Sequence, residues 1–221
     1  MSKRIFLAED TISNDEVDAL ADWLKTHPRL TKGALTEEFE EAWSAKLGTK
    51  HSVFVNSGSS ANLLMLYALM ECGKIKRGDS VVVPAISWAT DLSPVIQLGL
   101  KPILCDVNSA DLSVDLNEVR VIIEKHSPKV LMLVSVLGLV PNMDAATKLC
   151  KDTGVIMLED TCESLGSKYD GNNLGTYGLM SSFSLYFGHH LSTIEGGMVC
   201  TNDTELYHLL RSLRSHGWGR E

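Results

Sequence analysis

Between Ser181 and Gly197 the chain reads SSFSLYFGHHLSTIEGG: three aromatic residues (Phe183, Tyr186, Phe187), a glycine, two adjacent histidines, then an acidic residue and two glycines. Imidazole is the side chain whose ordinary pKa lies nearest neutrality, so a histidine held at a strand end can take or give a proton at physiological pH. The composition predicts a packed strand that delivers polar groups to a cavity. On an extended strand His189 and His190 point to opposite faces and cannot share one ligand unless the backbone bends, which argues against a metal site on the pair. His189 is the candidate base, and a buried histidine with purely internal partners is the competing reading.

Four other groups could share its cavity. Asn56-Ser57-Gly58-Ser59-Ser60 lies between an apolar run and a helical one, where small residues let backbone amides approach an anion and a helix start adds partial positive charge. It has neither the lysine of a Walker loop nor G-x-G-x-x-G spacing, and a serine-rich helix cap is the plainer reading. Asp160 closes the run Val155 to Glu159; a carboxylate at a buried strand's mouth needs a partner, such as a protonated ring nitrogen, unless it simply caps the next segment. Trp88 follows the Pro84 turn and could stack on a ring or pack in the core. Ser184, five residues before His189, could give a further phosphate contact. An anion cradle, an aromatic platform, an acid and a base together suit a phosphorylated pyridine.

The elements that must position these groups alternate. Short apolar runs at Ser52 to Val55, Ser80 to Val83, Pro102 to Cys105, Val130 to Val134 and Val155 to Glu159 predict strands, joined by shorter ones near Met180 to Leu185 and Met198 to Thr201. Helices are expected over about Ala61 to Glu71, Thr90 to Leu98, Asp115 to His126, Asp144 to Asp152 and Asp203 to Ser215. Two more precede them: Ser13 to Thr26, with a Ser cap and Glu16 three places on, and Thr36 to Leu47, with Phe39, Ala42 and Trp43 on one face and Gly48 as its stop. Continuously apolar strands alternating with helices predict an α/β fold with a mainly parallel sheet covered on both faces, and ligands at the carboxyl ends of its strands.

A net charge of −8 and a pI near 5.4 argue against nucleic acid and anionic membranes as partners, leaving a small molecule. The five cysteines are scattered and odd in number, with no C-x-x-C pair, and read as reduced core residues. The first residues turn acidic after one short apolar run, unlike a signal peptide, and no run reaches the length of a membrane span, so a cytoplasmic protein is expected. Arg220-Glu221 follow soon after a helix with no closing element, which suggests a fragment of a longer chain.

With LTKGALTEEFEEAW, VNSGSSANLL, VVVPAISWAT, LEDTCESLGS, the histidine segment and RSLRSHGW in this order, the sequence resembles the DegT/StrS sugar-nucleotide aminotransferase family along essentially its whole length. The resemblance implies the aspartate-aminotransferase (fold type I) large domain with a seven-stranded sheet, pyridoxal 5′-phosphate as cofactor, a homodimer, and a smaller C-terminal domain that these 221 residues would lack. It makes Gly58, Ser59 and Ser184 phosphate ligands, Trp88 the stacking residue and Asp160 the partner of the pyridine nitrogen. Glu163 falls where most members have a glutamine touching the ring's substituents. Counting back from Glu195-Gly196-Gly197, the cofactor-binding lysine falls on His189. Imidazole moves protons but forms no stable imine, so the cofactor should be held without a covalent bond.

Histidine at this position resembles the family's deoxysugar 3-dehydratase branch. That implies removal of the C3 hydroxyl from a nucleotide-linked 4-keto-6-deoxy sugar, with L-glutamate converting the cofactor to pyridoxamine phosphate. A related branch acting on CDP-sugars adds an iron–sulfur centre, of which these residues show no motif. A transaminase, or a regulatory protein that binds cofactor without catalysis, are the alternatives. His216, near the end, is either a site residue or part of a surface helix.

Overall fold

The computed structural model describes residue 4 and residues 11–219; the apolar run near the start and Arg220-Glu221 lie outside the described residues. Helix α1 (Asn14–Leu24) opens on a reciprocal cap: Glu16 N–H donates to Ser13 Oγ, and Ser13 N–H donates to Glu16 Oε2. Its stripe of Val17, Leu20 and Leu24 stays exposed. Helix α2 (Ala34–Leu47) ends on Gly48 in the left-handed region, where a glycine carries no steric penalty. It buries Trp43, Ser44 and Leu47, while Ala42, expected on that face, is exposed.

The remainder is the predicted alternation: β1 (His51–Val55), α3 (Gly58–Glu71), β2 (Ser80–Pro84), α4 (Ala89–Gln97), β3 (Lys101–Cys105), α5 (Leu116–His126), β4 (Val130–Val134), α6 (Met143–Thr153) and β5 (Ile156–Asp160). A small antiparallel hairpin, β6 (Lys168–Tyr169) and β7 (Asn172–Asn173), precedes β8 (Met180–Ser184), β9 (Gly197–Thr201) and α7 (Thr204–Arg214). Seven strands form one sheet in the order β1-β9-β8-β5-β4-β2-β3. Strand β9 runs antiparallel to both its neighbours, and all other pairs are parallel. The carboxyl ends of β1, β2, β4, β5 and β8 therefore open on the same side.

Side chains alternate across the sheet as a two-residue period requires. Val130 and Met132 of β4 enter the core under α3, α4 and α7, while Leu131 and Leu133 enter the one under α5 and α6. A third cluster joins Trp43 and Leu47 of α2 to Phe183, Leu185, Met198 and Cys200. Helix α3 is the pivot: Ala61, Leu64, Met65, Leu66, Ala68 and Leu69 are all buried, each large side chain contributing about 1.5–3 kcal/mol by leaving water. Burial of this kind fixes the start of α3, and with it the loop before it.

Two expectations need correction. Cys105, Cys150 and Cys200 are buried and unbridged as read, but Cys72 is exposed and Cys162 only partly covered. The strand expected near Met180 to Leu185 runs Met180–Ser184, so of the three aromatics grouped with it only Phe183 lies inside it. Leu185 N–H donates to Gly196 O and Thr193 N–H to Leu185 O, which pinches the intervening residues into a loop carrying Tyr186, Phe187 and both histidines.

Candidate active site

The anion cradle forms where β1 turns into α3. Ser57 is the N-cap, its Oγ accepting from Ser60 N–H at 3.1 Å, so the plain capping reading holds for Ser57. The amides of Gly58 and Ser59 then stand at the open end of the helix, with its partial positive charge behind them. Gly58 is buried: a Cβ there would lie 2.7 Å from Ser184 Cβ and 2.9 Å from Cys162 Sγ. Gly197 fits as tightly, since a Cβ would come within 2.4 Å of the Ser57 carbonyl and 2.7 Å of Gly58 N. Gly197 thus lets the start of β9 meet the start of α3 backbone to backbone, while Gly58 lets the Ser184 and Cys162 side chains pack directly onto it. Ser184 is half-buried and Ser59 exposed at this junction.

Asp160 ends β5 and is 5% exposed. Its Oδ1 accepts from Cys162 N–H at 2.9 Å, a local turn in keeping with the capping alternative. Its Oδ2 accepts from Asn62 Nδ2 at 2.6 Å, a contact from the middle of α3. Asn62 also donates to Asp91 Oδ1 at 3.1 Å, joining a second acid, with no exposure at all, to the first. Burial pushes Asp91 up to about 10, and the neighbouring Asp160 adds to the shift.

Trp88 is not core: it is 69% exposed, at the N-cap of α4 just before Asp91 in the first turn. Glu163 Oε2 accepts from Leu137 N–H at 2.7 Å and so anchors the turn after β4, where Leu137 takes a left-handed conformation with φ 55°. His189 is half-buried while His190 is exposed, so the bent loop turns one ring inward, and no cluster of metal-ligating residues occurs among the described residues. Burial lowers the His189 pKa, and the negative charges of Glu163 and Asp160 oppose that shift. Both acids are near enough for their charge to act on the imidazole, which stays largely neutral, and able to accept a proton, near pH 7. His216 lies exposed beyond the end of α7.

The predicted site residues thus come together at the carboxyl end of the sheet, apart from His216. Asn62 and Asp91 belong with them and carried only faint signals, an amide inside an otherwise apolar helix and an acid in a helix's first turn. The arrangement suits a ligand with a phosphate at one end and a cationic ring nitrogen at the other.

A profile of the DegT/DnrJ/EryC1/StrS aminotransferase family matches residues 10–221. The chain belongs to this family. Among its relatives it is 41% identical over 216 residues to GDP-4-keto-6-deoxy-D-mannose 3-dehydratase of Yersinia pseudotuberculosis, covering 97% of this chain and 54% of the relative. It is 37% identical to the enzyme of the same name from Escherichia coli O55:H7, with 97% and 55% covered. A crystal structure of GDP-4-keto-6-deoxymannose-3-dehydratase with a trapped PLP-glutamate geminal diamine superposes with a TM-score of 0.92 at 35% identity, over 98% of this chain and 56% of that one. The chain spans about half the length of the relatives it matches. The DegT/DnrJ/EryC1/StrS assignment agrees with the mainly parallel seven-stranded sheet expected from the resemblance.

Proposed function

We propose that this chain is the cofactor-binding large domain of a deoxysugar 3-dehydratase that uses pyridoxal and pyridoxamine 5′-phosphate. The substrate is a GDP-linked 4-keto-6-deoxy sugar, L-glutamate is the amino donor, and the product is the 3-deoxy-4-keto sugar for lipopolysaccharide assembly. The observation that carries this reading is a half-buried imidazole within the charge influence of two carboxylates, Asp160 and Glu163, in the segment where the resemblance implies the family's lysine.

The residues fit the cofactor. Gly58 and Gly197 are packed too closely for a Cβ, which seats the first amides of α3 firmly at the carboxyl end of the sheet, where they suit a phosphate, and Asp160 offers a buried carboxylate for a ring nitrogen. When bound, the cofactor supplies an electron-accepting ring and an exchangeable amine. The amides of Gly58 and Ser59 and the hydroxyl of Ser184 hold the phosphate, and Trp88 offers its exposed face to the ring. Asp160 keeps a proton on the ring nitrogen, while Glu163 meets the ring's substituents with the carboxylate oxygen that Leu137 leaves free. His189 takes and returns the proton at the carbon next to the amine. It forms no lasting bond to the cofactor, so these contacts alone retain it.

Ile86, Trp88, Leu137, Phe187 and Ile194, all in loops that follow the carboxyl ends of strands, are exposed apolar side chains, which suits a homodimer with a shared site. No helix among the described residues is long and apolar enough to cross a membrane, in keeping with work in the cytoplasm.

Incubating the protein with pyridoxal phosphate, glutamate and GDP-4-keto-6-deoxymannose tests the reading by mass spectrometry of the sugar nucleotide. Loss of the C3 oxygen together with release of ammonia is expected. A stable amino sugar would show a transaminase instead, and an unchanged sugar, a protein without catalysis.

A further inference from the structure

The reaction outlined above has no use for Asp91, yet Asp91 is the most deeply buried acid at the site. Asn62 reaches it with one amide and Asp160 with the same amide, so the two carboxyl groups are neighbours across a single side chain. Their surroundings differ. Asp160 receives two donors at 2.6 and 2.9 Å and keeps 5% of its surface exposed. Asp91 receives one at 3.1 Å, and its Oδ2, fully enclosed, has no donor directed at it. A buried carboxylate oxygen that nothing donates to is very costly as an anion; as a carboxylic acid it becomes a donor itself. The neighbour within reach of that proton is the Asp160 carboxylate, with which Asp91 makes a side-chain contact.

Taking the cofactor reading as its basis, we infer that Asp91 is a neutral, proton-bearing positioning residue. It donates a hydrogen bond to Asp160, and with Asn62 it keeps Asp160 as the single anion presented to the ring nitrogen. Two like charges this close do not both ionise; the better-solvated member keeps the charge and the enclosed one the proton. The other groups facing Asp91 are weaker and divided. Glu163, from the turn after β5, opposes a second negative charge, the Trp88 backbone one turn earlier favours it by less than burial and Asp160 disfavour it, and α3 contributes the neutral Asn62. Without Asp91's proton, Asp160 loses a donor and its own carboxylate becomes easier to protonate, which weakens its hold on a pyridinium.

The test has two arms. In the cofactor-free protein, thermal midpoints of wild type and Asp91→Asn are compared from about pH 5 to about pH 9. The unfolded Asp91 ionises near pH 4, whereas the folded one holds its proton to about pH 10, so wild-type stability falls with rising pH across that window. The asparagine keeps a donor toward Asp160 and has no proton to lose. Its midpoint should therefore gain on wild type as pH rises; a constant gap would overturn the placement of the proton.

In the second arm, ring-¹⁵N-labelled pyridoxal phosphate is added to the wild type, Asp91→Asn and Asp91→Leu. Asp91→Leu should bind it at least roughly tenfold more weakly and lose the protonated-nitrogen chemical shift at lower pH than wild type, with Asp91→Asn between them. Equal affinity and equal shift in all three would overturn the role in positioning Asp160. Should Asp91→Leu not fold, the wild-type and Asp91→Asn comparison decides alone. If the wild type takes up no pyridoxal phosphate, the cofactor reading and this role fall together, while the first arm still decides where the proton sits.

Discussion

Glu159 and Asp160 are consecutive residues of one strand, both buried, and they show two ways of placing a carboxylate inside a protein. Glu159 points under the loop before β8, where Gly175 N–H donates to Oε2 and Tyr177 and Gly178 N–H donate to Oε1. Burial pushes its pKa up, and the three amides push back. Both oxygens are saturated, so it is a structural staple holding residues 175–178 against β5. Asp160, on the other face, shares its Asn62 amide donor with a second acid at the carboxyl end of the strand. A carboxylate with both oxygens saturated by backbone amides supports a fold, whereas one that meets another acid across a shared donor has the perturbed surroundings typical of functional sites, in line with the cation partner proposed for it.

Substitution should separate the two. Glu159→Ala orphans three buried amides and should cost about 3 kcal/mol or more in chemical denaturation. Asp160→Asn should leave stability nearly unchanged, because its amide oxygen can still accept from Asn62 or from the Asp91 carboxyl. Pyridoxal phosphate affinity, measured by fluorescence quenching, should nevertheless drop about a hundredfold. If Asp160→Asn proved the more destabilising of the two, the contrast would be wrong.

Gly197→Ala sharpens the comparison from the phosphate side. Its Cβ has no space beside the Ser57 carbonyl, so the cradle must shift, at about 1–3 kcal/mol of stability and with weakened affinity for inorganic phosphate in calorimetry. The smallest effect concerns His189. Because burial lowers its pKa, the neutral base persists below its ordinary value near 6.5, and glutamate-driven bleaching of the cofactor should keep its rate down to that pH and fall only below it. The matching stability term is present above about pH 6.5 and is lost as pH falls through the lowered folded value. It is small, since the ring is half in solvent. An acidic limb that stays put in His189→Asn would assign it to another group.

Much of this was legible in the sequence, because continuous apolar runs and caps such as Ser13 with Glu16 are local signals. Strand and helix bounds fall within a few residues of those expected, and Gly58, Trp88, Asp160 and Ser184 lie where strand ends place them. The strand near Met180 to Leu185 is found, but Tyr186 and Phe187 were grouped with it because aromatics resemble a buried run; the hydrogen bonds of Leu185 that bend the loop carrying them join residues eight and eleven apart. Asn62 and Asp91 escaped notice because their meaning lies in a contact between α3, α4 and β5 that no spacing encodes. Gly197 could be read as part of a motif, but its reason, a backbone pressed against Ser57, is visible only in three dimensions.

The central claim is that an imidazole occupies the place of an amine, so that Asp160 and the glycine cradle retain the cofactor without a covalent bond. Borohydride reduction of the pyridoxal phosphate-loaded protein, followed by the mass of the intact chain, tests it most directly. The account predicts an unmodified chain, with all cofactor lost on denaturation; a pyridoxyl group fixed to a lysine of this chain would contradict it.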